Sequence, residues 1–264
     1  MQIKTCLHLH AAVENGITYL KKSYCTTPLK VININEDKQA HALQLMLMSS
    51  SPGILDGDEY DLNIDLEVNS SLQLHTQSYQ RLFTMQQNAR QKMEIRLGKN
   101  VTFYFIPHPV VPHGKADFTA RNKIYLRENC TLIFGEIITC GRKLNGEVFL
   151  FTKYHTKTEI FINNRLVIKE NLLMQPSLID LNGIGQLQGF THQASLIYLN
   201  EGVAIKPVLA NILELLSTQK EISFGVSTAP INGLIVRILG QRAEQLFDCL
   251  KMIAAFLPQV NNTK

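Results

Sequence analysis

The chain has 264 residues, 45% of them hydrophobic, no tryptophan and a formal charge of only +4. That length suits one large β domain spanning residues 1–264, and the cations are too few and too scattered for the clustered basic face of a nucleic-acid binder. Five cysteines, Cys6, Cys25, Cys130, Cys140 and Cys249, lie at wide spacings without a Cys-x-x-Cys pair, which argues against a disulfide framework or structural zinc and for buried thiols.

The opening Met1-Gln2-Ile3-Lys4-Thr5-Cys6 lacks the apolar core of a leader, and no run approaches the roughly 18–20 apolar residues of a membrane span. A cytoplasmic protein is expected. His8 and His10 lie two apart, on one face of a strand, close enough to share a transition metal but without a third ligand in sequence. From Asp56 to Glu67, six carboxylates (Asp56, Asp58, Glu59, Asp61, Asp65 and Glu67) occupy twelve positions with no Lys or Arg among them, so a divalent cation could be drawn there. Leu62, Ile64, Leu66 and Val68 alternate with Asp61, Asn63, Asp65 and Glu67, which predicts a strand with one packed and one wet face. Asn69-Ser70-Ser71 reads as a turn into a second strand through Leu72 and Leu74.

Met93-Ile95-Leu97 and Val101-Phe103-Phe105 flank Gly98-Lys99-Asn100, a pattern that predicts a hairpin. Arg81, Arg90, Lys92, Arg96 and Lys99, with Met93, Ile95 and Leu97 alternating between them, read as the solvated side of a strand. His108 and His113 flank Pro109 and Pro112 in a rigid loop, again a pair without a third ligand. Short apolar runs follow at 124–126, 132–134 and 148–151, and Asn163-Asn164 predicts a second hairpin between 159–162 and 166–168. This rhythm means a sandwich, barrel or solenoid of short strands. No internal repeat with a matching signature is evident. Pro207 opens a helix with Val208, Leu209, Ile212, Leu213, Leu215 and Leu216 on an apolar stripe. Arg242 to Leu257 repeats Ala243, Leu246, Phe247, Leu250, Ile253, Ala254 and Leu257 at helical spacing, with Pro258 as the stop.

Signatures of chemistry fail on spacing. Gly183-Ile184-Gly185-Gln186-Leu187-Gln188-Gly189 carries one residue too many for a dinucleotide fingerprint, and no P-loop is present. Asp61-Leu62-Asn63-Ile64-Asp65 begins like a calcium loop, but Leu66 stands where the turn glycine belongs. Ser217-Thr218-Gln219-Lys220 has no companion motif for a nucleophile.

Four ordered blocks carry a resemblance over nearly the whole chain. They are Ser51-Pro52-Gly53 with Asp56-Gly57-Asp58; His75-Thr76-Gln77-Ser78-Tyr79 with Arg81; Phe134-Gly135-Glu136-Ile137-Ile138 with Gly141-Arg142 and Gly146-Glu147; and Gly233-Leu234 with Arg237-Ile238-Leu239-Gly240. With them the chain resembles the urease accessory proteins called UreD or UreH. The resemblance implies a mainly β fold, its strands stacked in a helical or solenoid-like arrangement, with about two helices in the C-terminal third. It also implies a non-enzymatic chaperone that binds apo-urease and recruits UreF and, through it, UreG, with homodimeric assembly inside that complex. Transient Ni²⁺ is expected to pass through an internal polar tunnel, with Asp58, Glu136 and Glu170 at or near the path and no permanently bound cofactor. Leu246, Phe247 and Leu250 on the last helix are candidates for contact with UreF or a second copy.

Two other function classes compete. Stacked β folds host carboxylate-pair glycosidases, for which Asp56, Asp58 and Glu59 would be the acids, although a chain without Trp lacks the best platform for stacking a sugar. A scaffold that never carries metal is the other.

Overall fold

The computed structural model describes residues 4–258, so residues 1–3 of the opening segment and 259–264 lie outside the described residues. Seventeen strands and two α-helices follow in chain order: β1 (Lys4–Glu14), β2 (Ile17–Cys25), β3 (Leu29–Asn33), β4 (Leu43–Ser49), β5 (Glu59–Leu66), β6 (Ser71–Thr76), β7 (Gln80–Leu82), β8 (Ala89–Leu97), β9 (Thr102–Phe105), β10 (Val110–Pro112), β11 (Asp117–Leu126), β12 (Thr131–Ile138), β13 (Lys153–Ile162), β14 (Arg165–Met174), β15 (His192–Asn200), α1 (Ile205–Ser217), β16 (Ile222–Thr228), β17 (Gly233–Gly240) and α2 (Ala243–Phe256). The expected mainly β fold with two late helices is what forms. Among the described residues no helix is long and apolar enough to cross a membrane.

The strands build two sheets. One runs β14-β13-β11-β8-β5-β1-β2, and the other β16-β17-β15-β12-β9-β6-β4-β3, with β7 and β10 off its path. From β4 to β13 the long strands alternate between the sheets, each lying parallel to its predecessor one circuit earlier. The predicted hairpin at Gly98 is therefore overturned, because β8 and β9 belong to opposite sheets. Its turn hydrogen-bonds to neighbouring turns instead of closing a ladder: Gly98 donates its N–H to the Leu66 carbonyl, and Asn100 to that of Glu128. The apolar sides of both strands thereby face a single core. A Cβ on Gly98 would lie 2.9 Å from the Val68 nitrogen, so only glycine permits this stacking. The hairpin at Asn163-Asn164 does form, both residues at positive φ (47° and 65°) as a tight antiparallel turn requires.

The register also reveals an internal repeat, contrary to expectation. Ile64 to Asn69, Ile95 to Asn100 and Ile124 to Asn129 share Ile-x-Leu-x-x-Asn, 31 and then 29 residues apart, and each continues x-Ser/Thr-Leu/Phe-x-Leu/Phe. The isoleucines stack into one inward row, Ile64, Ile95, Ile124, Ile160 and Ile168. The asparagines, at φ of 63°, 57° and 57°, form a ladder in which Asn100 Nδ2 donates to Asn69 Oδ1 at 2.8 Å and Asn129 Nδ2 to Asn100 Oδ1 at 3.3 Å. Asparagine tolerates the left-handed conformation and supplies the bond to its neighbour.

One apolar cluster fills the space between the sheets around the isoleucine row, and an aromatic one around Phe118 and Tyr154 fills it at the opposite end of the strands. A third lies between the second sheet and the helices. α1 buries Ile205, Val208, Ile212 and Leu216, whereas Leu213 of the predicted stripe stays exposed. α2 seats Leu246, Cys249, Leu250, Ile253 and Ala254, each large side chain contributing about 1.5–3 kcal/mol by burial. It approaches closely at Gly135, where a Cβ would lie 3.2 Å from Leu250 Cδ1. Of the five thiols, Cys130, Cys140 and Cys249 are buried and Cys6 and Cys25 partly so.

Candidate functional site

Between the two inter-sheet clusters lies a polar seam, and strand register explains it. On the first sheet the inward row below the isoleucines reads Leu62, Met93, Asn122, Thr158 and Glu170, apolar at one end and polar at the other. On the second sheet Glu136, Ser195 and Arg237 pair in a row. Asn122 Nδ2 donates to Thr158 Oγ1 at 2.9 Å and to Glu136 Oε1 at 3.3 Å, while the Thr158 hydroxyl donates to Glu136 Oε2 at 3.3 Å. Arg237 Nη2 meets Glu170 Oε2 at 2.6 Å across the sheets, partly open to solvent.

Glu136 stands where two hollows meet. The larger, about 170 Å³, extends past Tyr60, Asn122 and Phe105 to a rim at Ser49, Gln77 and Tyr79. The smaller, about 30 Å³, reaches from Glu136 through Ser195 to the Glu170–Arg237 pair. Glu136 retains accessible surface because it lines both, yet protein packs densely around it. Burial pushes its carboxyl up to about 7, and the nearby Glu170 charge adds to the rise against the hydrogen bonds of Thr158 and Asn122. A carboxyl held near neutrality in a polar cavity can release a proton as a cation arrives.

The structure brings together two of the three carboxylates implied by the family resemblance. Asp58, 6% exposed, uses its carboxylate inside its own turn, accepting the Leu55 N–H at 2.9 Å. It lies beside Tyr60, whose phenol is pushed up to about 12 by burial and then by the Asp58 charge, but it does not line either hollow.

Leu246 and Leu250 are not available to a partner. Both are fully buried under the second sheet, because an apolar stripe at helical spacing serves the core first. Phe247 is only partly buried and stacks on His108 with centroids 4.5 Å apart, at the rim of the larger hollow. Thr76 bonds His108 Nδ1 at 2.9 Å, and the Tyr79 hydroxyl donates to Glu244 of α2 at 2.5 Å.

The acidic strip does not stay bare. β8 sets Arg90, Lys92 and Arg96 opposite Glu59, Asp61 and Asp65, a cross-strand neutralisation hidden from a local reading. His10 Nε2 contacts Glu67 at 2.8 Å, and His113 is buried against Phe83. Among the described residues no group of three or more His, Cys, Asp or Glu is placed to hold a metal ion. Asn122, Thr158 and Ser195 went unnoticed in sequence. The available signal was Asn122 itself, a polar residue at an inward position between Ala120 and Ile124.

A sequence model described as the UreD urease accessory protein matches residues 4–263. A Flavobacterium johnsoniae protein named urease accessory protein UreD is 48% identical over 248 residues, covering 94% of this chain and 90% of its own. Similarly named proteins of Actinobacillus pleuropneumoniae serotype 3 and Acetivibrio thermocellus are 35% and 31% identical, covering 94% and 95% of this chain and 95% and 96% of theirs. With matches that span nearly the whole chain on both sides, this protein belongs to the UreD urease accessory protein family.

Proposed function

We propose that this chain serves urease maturation as a non-catalytic chaperone: it binds apo-urease, recruits UreF and through it UreG, and passes Ni²⁺ along the seam between its sheets toward the dinickel site. Membership of the family carries the accessory role. The observation that supports conduction is the position of Glu136, the carboxylate shared by two hollows, one lined as far as Ser49 and Tyr79 and the other as far as the Glu170–Arg237 pair. Sparse oxygen donors admit a divalent ion and release it, where a cysteine or histidine cage would retain it. Glu170 lies next on that path and Asp58 stands off its wall. Of Leu246, Phe247 and Leu250, Phe247 is the one left, with the neighbouring rim, for UreF or for a second copy of the chain.

A carboxylate-pair hydrolase fits less well. Glu136 and Glu170 do form a pair of carboxylates, but the hollow between them, about 30 Å³, has room for a water rather than a sugar. Deleting the gene from its host and measuring urease activity together with nickel per urease molecule tests the reading. Normal amounts of nickel-poor urease are expected, and fully loaded, active urease would overturn the assignment of client. Blocking the seam without changing nickel transfer would leave a scaffold that never carries metal.

A further inference from the structure

We propose that the outer face of the first sheet, centred on Arg121, docks a carboxylate-bearing segment of a protein partner. The inference goes beyond the nickel path and uses no residue of the seam.

The two sheets are finished differently on their outer sides. α1 and α2 pack on the second sheet, whereas Arg90, Lys92, Arg121 and Lys169 stand exposed on the first. Register sets the outward residues of the first sheet in rows across its strands. One row reads Glu94, Lys123, Glu159 and Lys169 on β8, β11, β13 and β14, alternating in sign so that each charge is answered by its neighbours. Two residues back along the same strands the row reads Lys92, Arg121 and Lys157, three cations abreast on strands about 4.8 Å apart. Like charges directly opposite one another destabilise a sheet, so this row is a cost to the free chain.

The flanking lysines have counter-charges. Lys92 stands opposite Asp61 and 4.0 Å from Glu94, and Lys157 lies 2.8 Å from Glu159. Arg121 has none: among the described residues it makes no ion pair and no hydrogen bond, and its five N–H donors are left to water. An open trough of about 580 Å³ runs past Arg90, Lys92, Thr119 and Arg121, with Glu59 and Asp61 along its β5 side.

Charge complementarity names the occupant. The planar fork of a guanidinium matches a carboxylate, and one docked on Arg121 relieves the repulsion from both lysines at once. A broad, open face suits a protein segment, since a single small ion pair in solvent is screened and weak. A phosphate backbone fits worse, because Glu59, Asp61 and Glu94 share the face and repel its evenly spaced charges.

Charge reversal separates docking from a structural role. Arg121→Glu places an acid between Lys92 and Lys157, so it should raise the thermal midpoint of the full-length chain while weakening acidic-peptide binding about tenfold or more. The probe is a fluorescein-labelled octaglutamate peptide followed by fluorescence anisotropy at low ionic strength, with a single-stranded oligonucleotide of equal charge as competitor. Arg121→Gln should weaken binding as well, and it decides the matter if the reversed chain fails to fold. Lys123→Gln, in the row that neutralises itself, should leave binding within about twofold. Undiminished binding in the Arg121 variants, or an equal loss in Lys123→Gln, overturns the proposal. So does a lowered midpoint in Arg121→Glu, which would deny the opposition of like charges, or a tighter, Arg121-dependent hold on the oligonucleotide, which would give the face to nucleic acid. None of these readouts depends on nickel, so the maturation reading stands or falls separately by the gene deletion.

Discussion

Replacing Glu136 by glutamine should stabilise the metal-free chain, and only above a certain pH. The carboxyl's ordinary value of 4.5 rises to about 7 in the folded chain because burial penalises its charge. Between those values the unfolded chain releases a proton that the folded chain keeps, so the stability this group allows is fully present below about pH 4.5 and lost as pH rises through about 7. The shift corresponds to about 3 kcal/mol at about 1.4 kcal/mol per unit, and partial hydration from the hollows reduces it to about 2–3 kcal/mol. Glutamine, like the protonated carboxyl, offers one carbonyl acceptor, for Asn122, and one donor, for the Thr158 oxygen, and it never ionises. Urea titrations of both proteins in chelator-containing buffers should show equal stability near pH 4.5 and a gap of about 2–3 kcal/mol in favour of Glu136→Gln at pH 8, other groups cancelling in the difference. A gap independent of pH, or a variant less stable at pH 8, would refute the claim that burial of a charge dominates at this position.

Asn100→Ala removes the middle rung of the ladder and puts Cβ chemistry without a compensating bond at φ 57°, so a loss of about 1–2 kcal/mol is expected by denaturant titration, and a neutral result would deny the ladder a stabilising role. Gly53→Ala should cripple folding, since its Cβ would lie 2.4 Å from the rigid Arg81 carbonyl oxygen; near-normal yield and thermal midpoint would show that this turn yields more easily than its contacts imply. Phe247→Ala should cost less than about 2 kcal/mol yet reduce co-purification of UreF, and undiminished capture would move that contact off the rim of the hollow.

What could be read in advance was what depends on short range. Strand alternation from Leu62 and the helix at residues 242–257 follow from the positions of neighbours along the chain; the helix formed within a residue of expectation at each end, whereas the strand stops at Leu66 and leaves Val68, expected on the packed face, 49% exposed beyond it. The Gly98 turn misled because a turn sequence fixes the local bend but not which sheet receives the next strand. The neutralising cations on β8 were visible as residues, yet their pairing with Glu59, Asp61 and Asp65 is a fact of register between segments about 30 positions apart. The seam was harder still. Glu136 and Glu170 entered by resemblance, and their joining with Asn122 and Thr158 requires two sheets to face each other at a known height.

The asparagine ladder limits how this chain can change in length. Each rung fits only when Ile-x-Leu-x-x-Asn of one circuit lies directly over that of the next, and a slip of one residue would turn the whole isoleucine row outward. Small insertions are thus confined to the connections between strands, while the stacked part can grow or shrink only by whole circuits of about 30 residues, each contacting just the circuits on either side. The polar seam, whose rows run across the strands, would lengthen or shorten by the same quantum, so its reach is set by the number of circuits.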